Sequence, residues 1–372
     1  MKFEVVCNRC GKKCDKNKWD WKCSCGGAFD IVCDLKGKSF VVNRREESMK
    51  RYGEFLPVDP DIRMLPEVRV GWTPTIRKNI EGVNANFKLE YLNPGGSFKD
   101  RGAWVSMAKA LELGSKGVVV DSSGNSAIGF ALMGLISGIE VHVFVPTRAP
   151  RGKINLLKLL KARIHMVKGD RMEVNRAALD YETDELLYMG HWWNPYFLEG
   201  VKTMAYESYE QMGSVDYVFS PVGSGSLLLG LYKGFRELVE LKALRSMPCI
   251  IAVQASGYSK ICRELGASDL DLEEKSKLAD GIAIEDPPRR DQIVRAVKDT
   301  GGSGIIINDR EIKESLTELR RYGFIVEPTS AVVYAAFKKS KSKSIPRGSN
   351  VLLPLTGSGL KVVDDLMEIE TG

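Results

Sequence analysis

The sequence predicts an α/β protein: two three-layer α/β/α domains with mostly parallel sheets, preceded by a small cysteine-rich head. Three observations carry this expectation. From about residue 85 onward, short β-branched runs alternate with helical patterns. The strand runs are continuously apolar, as in sheets covered on both faces. Six of the eight cysteines (Cys7, Cys10, Cys14, Cys23, Cys25 and Cys33) fall in the first 33 residues, outside the alternating body.

The head spans 1–40, and a charged, proline-containing linker follows over 41–70. In the body, "KGVVVDSS" (116–123) reads as a strand and "NSAIGFALMGLISG" (125–138) as an apolar helix ending at glycine. "IEVHVFVP", "RIHMVKG", "VDYVFSPV", "CIIAVQA", "FIVE" and "NVLLPLTG" continue the strands. "GKINLLKLLKA", "RMEVNRAALDYE", "EGVKTMAYESYEQMG", "SLLLGLYKGFRELVE", "REIKESLTELRRYG" and "SAVVYAAFKK" continue the helices. The acidic stretch 266–290 reads as a surface excursion, and "KKSKSKSIPR" (338–347) as a solvated basic loop.

Hydrophobic residues make up 44% and charged residues 27%, the balance of an ordinary globular chain, and the net charge of +6 is modest. Basic residues are otherwise dispersed, so no nucleic-acid partner is expected. No apolar run is long enough to span a bilayer and no signal-peptide core opens the chain, so the expectation is a cytoplasmic protein without a membrane partner. In that compartment a tight cysteine cluster points to metal before disulfides.

In parallel sheets, ligands gather where strands run into helices. Three such turns are unusual. "DSSGNSAIG" (121–129) and "SPVGSGSLLLG" (220–230) both open helices with serine and glycine, and "LLPLTGSGLK" (352–361) is similar. Backbone N–H groups at a helix start bind anions, and glycine lets a phosphate approach closely. The glycines at 223, 225 and 230 fit neither the dinucleotide nor the Walker spacing. Together the turns suggest a phosphorylated cofactor and a small carboxylate substrate in a crevice between two halves.

"YLNPGGSFKDRGAW" (91–104) sets Lys99 on a glycine-rich turn beside Phe98 and before a helix. A lysine in a largely apolar site loses its proton more readily and can attack a carbonyl. A phosphorylated aldehyde, pyridoxal phosphate, would suit both Lys99 and the phosphate cup.

These residues resemble a known family. "NPGGSFKDRG" is similar to the cofactor-lysine motif of fold-type II (tryptophan synthase beta-like) pyridoxal-phosphate enzymes, and more narrowly to threonine synthases. "GWTPTI" (71–76), "SSGNS" (122–126), "VGSGS" (222–226), "VEPTSA" (326–331) and "LTGSGLK" (355–361) resemble further family motifs, in family order. The resemblance implies a large cofactor domain from 71–104 and 206–372, a small domain from 105–205, and a homodimer. It implies that Lys99 links to the cofactor and moves protons, with Phe98 beside it, and that Asn125 bonds the cofactor's phenolic oxygen. Ser122, Ser123, Gly124 and Ser126 would receive the substrate carboxylate. Gly223, Ser224, Gly225, Ser226 and Leu227 would hold the cofactor phosphate, and Thr356 would face the pyridine nitrogen. A threonine there leaves the ring neutral, which suits elimination and replacement better than amino-group transfer. "CNRCG" (7–11) and "CSCGG" (23–27) look like the knuckles of a zinc ribbon, with Cys7, Cys10, Cys23 and Cys25 as ligands and Cys14 or Cys33 as substitutes.

The implied reaction is that of a threonine synthase-like lyase, O-phosphohomoserine plus water to threonine plus phosphate. Four features depart from the pattern: the loop at 223–226 reads Gly-Ser-Gly-Ser rather than Gly-Asn-Ala-Gly, "ADGIAIEDP" (279–287) stands near the place of an absent Thr-Ala-Ile-Arg segment, and two further positions differ. Phe197 stands where the segment "NPYFLEGVKT" (194–203) commonly carries arginine, and Gly95 replaces a usual threonine. β-Elimination or β-replacement on a serine derivative, as in cysteine or cysteate synthases and serine/threonine dehydratases, is the alternative. A non-catalytic regulatory homologue is the third reading.

Overall fold

A computed structural model describes residues 1–62, 68–149, 151–169, 171–268 and 274–371. Parts of the linker and of the acidic excursion expected at 266–290 lie outside the described residues. The chain forms two compact units: one holds 1–37, 41–72 and 93–201, the other 38–40, 73–92 and 202–372.

The first unit contains a four-stranded parallel sheet in the order Arg163–Val167, Glu140–Pro146, Gly117–Val120, Leu186–Tyr188. Val118, Val119, Val120, Val143 and Val145 are all buried, as the continuous apolar runs require. Helices Lys99–Glu112 and Asn125–Ser137 pack together, and the second ends at Gly138 in the left-handed conformation. The head is a three-stranded antiparallel sheet, Lys13–Cys14, Phe3–Cys7, Phe29–Cys33, in the same unit. It seats aromatic rings on the body: the Trp19 indole N–H donates to the Tyr188 carbonyl at 3.0 Å, and Trp21 meets Tyr188 and Trp193 edge to face.

The second unit holds a six-stranded sheet in the order Gly304–Ile307, Cys249–Ala255, Tyr217–Pro221, Asn350–Pro354, Val83–Lys88, Thr75–Ile80, parallel except for the last strand. Alternate residues take opposite faces. Phe87, Val253, Leu353 and their same-face neighbours join helix Pro328–Ser344 in one core cluster. On the other face, Gln254 accepts the Cys262 N–H and Lys88 pairs with Glu207 at 2.9 Å, both side chains fully buried. Helices therefore cover both faces, giving the three layers.

Two expectations fail locally. "FIVE" (324–327) contributes only an isolated bridge, Val326 to Ser358, because its partner there is a turn rather than a strand. The basic run 338–347 is not a loop at its start: the helix continues to Ser344, since lysine is a good helix former and the first breaker is Pro346. Among the described residues no helix is long and apolar enough to cross a membrane.

Candidate active site

Lys99 is the first residue of helix Lys99–Glu112, presented by a tight turn. Gly96 N–H donates to the Asn93 carbonyl at 2.8 Å, and Gly95 N–H donates to the Asp100 carboxylate at 2.5 Å. The Lys99 ammonium lies 4.6 Å from the Phe98 ring centre and 5.6 Å from that of Phe197, so aromatic faces flank it. Phe197 is fully buried, and its ring sits where a Cβ on Gly102 would fall, at 2.5 Å. The ring that replaces the expected arginine thus has its space made by the glycine of "KDRG".

The same unit carries the Ser122–Ser126 loop. Gly124 caps helix Asn125–Ser137 and has no side chain to satisfy the first-turn N–H groups. Ser126 is 3% exposed and its hydroxyl has no hydrogen-bond partner among the described residues. Within the loop the Gly124 N–H donates to Ser122 Oγ at 3.2 Å, so the Ser126 hydroxyl is the buried side-chain donor left over among the described residues.

The second unit holds the other two turns. Gly225 caps helix Ser226–Glu240 with φ of 81°, and a Cβ on it would lie 2.1 Å from Ile293 Cδ1. A Cβ on Gly223 would lie 2.8 Å from the Ile282 Cα. Ser224, Ser226 and Leu227 are buried, and the Ser224 hydroxyl donates to that of Ser226 at 3.2 Å. Residues 222–227 thus offer N–H and O–H donors and no carboxylate, which suits a phosphate dianion. By contrast, helix Asp309–Arg321 is closed by a full capping box between Asn308 and Glu311. Thr356 Oγ1 and Ser330 Oγ are 3.0 Å apart, and Gly357 N–H donates to Ser330 Oγ at 2.8 Å. Ser330 Oγ also lies 3.2 Å from the Gly357 carbonyl; if its one proton goes to Thr356 instead, the threonine proton is left for an external acceptor.

In the head, the Sγ atoms of Cys7, Cys10, Cys23 and Cys25 all lie within 4.8 Å of one another. Cys14 is turned to Asp20 at 3.1 Å and Cys33 to Glu199 at 3.8 Å. The tight Cys-x-Cys spacing does not keep Cys25 out of the cluster.

Residues 67–357 match the family described as pyridoxal-phosphate dependent enzyme. The chain belongs to this family. A threonine synthase of Methanocaldococcus jannaschii is 31% identical over 96% of this chain and 93% of its own length. One from Methanosarcina acetivorans is 30% identical over 99% and 94%. Among solved structures, maize serine racemase superposes with a TM-score of 0.66 at 24% identity, covering 80% of this chain and 92% of that one. An O-acetylserine dependent cystathionine beta-synthase from Helicobacter pylori gives 0.67 at 21%, covering 82% and 97%. These likenesses show the fold-type II architecture of this pyridoxal-phosphate enzyme.

Two residues of the same unit lie outside the motifs recognised in the sequence. His191, whose ring centre is 5.7 Å from that of Phe197, is held well below the usual histidine value by burial, then by the charges of Lys99 and Arg171. Arg171 opens the helix after strand Arg163–Val167. It occupies the same strand-to-helix position as the three recognised turns, but a single glycine, Gly169, and no serine marks it.

Proposed function

We propose that the protein catalyses the threonine synthase reaction, converting O-phosphohomoserine and water to threonine and phosphate. One observation carries the reading: two threonine synthases align with nearly the whole chain, and an alignment covering 99% of it must include the cysteine head. When bound, pyridoxal phosphate supplies an aldehyde for an amine and an electron-accepting ring. Lys99 would hold that aldehyde and move protons at the substrate carbons, with Phe98 against it. Ser122, Ser123, Gly124 and Ser126 would bind the substrate carboxylate, satisfying the orphaned Ser126 hydroxyl. The N–H groups of Gly223 to Leu227 would hold the cofactor phosphate. Asn125 would bond the phenolic oxygen, and Thr356 would donate to the ring nitrogen. Cys7, Cys10, Cys23 and Cys25 would bind one structural zinc, a reading supported by their clustered thiols. The protein would act as a homodimer in the cytoplasm, with no nucleic-acid partner.

A second reading, β-elimination or β-replacement on a serine derivative, is favoured by the buried Phe197 ring at the position of the expected arginine. A substrate panel on the holoenzyme decides. Threonine and phosphate from O-phosphohomoserine support the first reading; pyruvate or a sulfur amino acid from serine derivatives, without threonine, reverses it. Lys99→Ala should abolish the visible absorbance band and lower turnover by at least roughly 10²–10⁴-fold. An unchanged band would remove Lys99 from its role.

A further inference from the structure

Asp121 follows strand Gly117–Val120 and immediately precedes the Ser122–Ser126 loop. The residue is 2% exposed, and its carboxylate accepts from Tyr188 Oη at 2.9 Å, Asn175 Nδ2 at 2.7 Å and Arg171 Nη2 at 2.7 Å. Asp121 is therefore well served, but Arg171 is not used up by it. The guanidinium carbon sits 4.6 Å from the Trp192 ring centre, so an aromatic face and a carboxylate fix the group from two sides. Nη1 is shielded from solvent and has no hydrogen-bond partner among the described residues. A charged donor shut away without an acceptor is costly to keep. The side chain as a whole is 38% exposed, so Arg171 is not sealed in the interior.

The surroundings tie this donor to the reacting lysine. His191 is under the electrostatic influence of both Arg171 and Lys99, and its ring neighbours are Trp192 and Phe197. Burial and the two cations keep the imidazole neutral, so His191 can add an N–H donor without adding charge. Ring contacts thus run from Lys99 through Phe197, His191 and Trp192 to Arg171, a guanidinium with a spare edge, and Asp121 joins Arg171 to the serine loop with its orphaned Ser126 hydroxyl. A substrate with an α-carboxylate and a side-chain phosphate needs two anion receptors, and the loop supplies only one.

We propose that Arg171 is the specificity-determining residue that receives the phosphate on the substrate's side chain, in place of the guanidinium absent at Phe197. The inference rests on the threonine synthase reading and deepens it. The planar fork of arginine matches a phosphate by two parallel N–H···O bonds, which lysine cannot reproduce.

The test compares wild-type holoenzyme with Arg171→Lys, which keeps a charge beside Asp121, and with the double variant Asp121→Asn/Arg171→Gln, which leaves no buried carboxylate unpaired. Circular dichroism checks that each is folded. KM for O-phosphohomoserine and the dissociation constant of inorganic phosphate, measured by calorimetry, should both rise at least about tenfold. kcat should change less than KM, and threonine, which lacks phosphate, should perturb the visible spectrum with an unchanged dissociation constant. Phosphate and substrate constants within about twofold of wild type in both folded variants would overturn the proposal. So would a wild-type holoenzyme that binds no phosphate. Wild-type enzyme that binds phosphate but forms no threonine would sink the functional reading alone, and the phosphate titration would still decide the role of Arg171.

Discussion

The Asp100 carboxylate accepts the Gly95 backbone N–H at 2.5 Å, and a Cβ on Gly95 would fall 2.5 Å from the same carboxylate. Gly95 is thus part of how the turn before Lys99 closes. A side chain here must displace either Asp100 or the turn. Gly95→Thr should lower stability by about 1–3 kcal/mol, as overpacking does, and weaken cofactor retention. Thermal unfolding and the visible absorbance of the purified variant check this. A variant as stable and as coloured as wild type would show that the turn can widen.

The loop before helix Ser226–Glu240 makes a sharper demand. Gly225 combines φ of 81° with a missing Cβ that would strike Ile293. Gly225→Ala should cost about 1–3 kcal/mol in backbone strain and reduce affinity for the cofactor. Titration of apoprotein with pyridoxal phosphate, followed by absorbance, gives the affinity; an unchanged value would separate the loop from the cofactor.

The four clustered thiols should hold roughly one zinc per chain. Metal analysis of the purified protein measures it. Cys23→Ser should release the metal and lower the melting temperature, whereas Cys14→Ser should leave the metal in place, because Cys14 is turned to Asp20. Full zinc content in Cys23→Ser would discard the assignment.

All three histidines are held below their ordinary value, chiefly by burial: His142, His165 and, most strongly, His191. The unfolded chain binds protons at about pH 6.5 that the folded protein refuses, so stability falls as pH drops below that value. Above it the three are neutral in both states and contribute no slope. Denaturant unfolding between about pH 7 and pH 5 should show the loss, and His191→Gln should flatten it. A slope unchanged in that variant would show that His191 does not carry it.

Much of the fold was legible because its signals are local. Alternating strand and helix periods, apolar strand runs and glycine stops depend on neighbours along the chain, as with Gly138 after its helix. The lysine turn and the glycine-serine loops were legible for the same reason, since tight strand-to-helix turns need particular residues at particular positions. The basic run at 338–347 misled because charge was taken as a sign of a loop, while helix propensity and the absence of a breaker before Pro346 prevailed.

By itself the sequence determined an α/β pyridoxal-phosphate enzyme, the lysine on its turn, the two donor loops and the cysteines of the head. Tertiary structure alone decided which distant side chains share a space. It set Phe197 against Gly102, gathered Cys25 rather than Cys14 or Cys33 into the thiol cluster, and brought Arg171 to Asp121 from fifty residues away in sequence. Periodicity and spacing report the conformation of a short segment. Which residues meet across helices and strands depends on how those segments pack, and no local pattern encodes that.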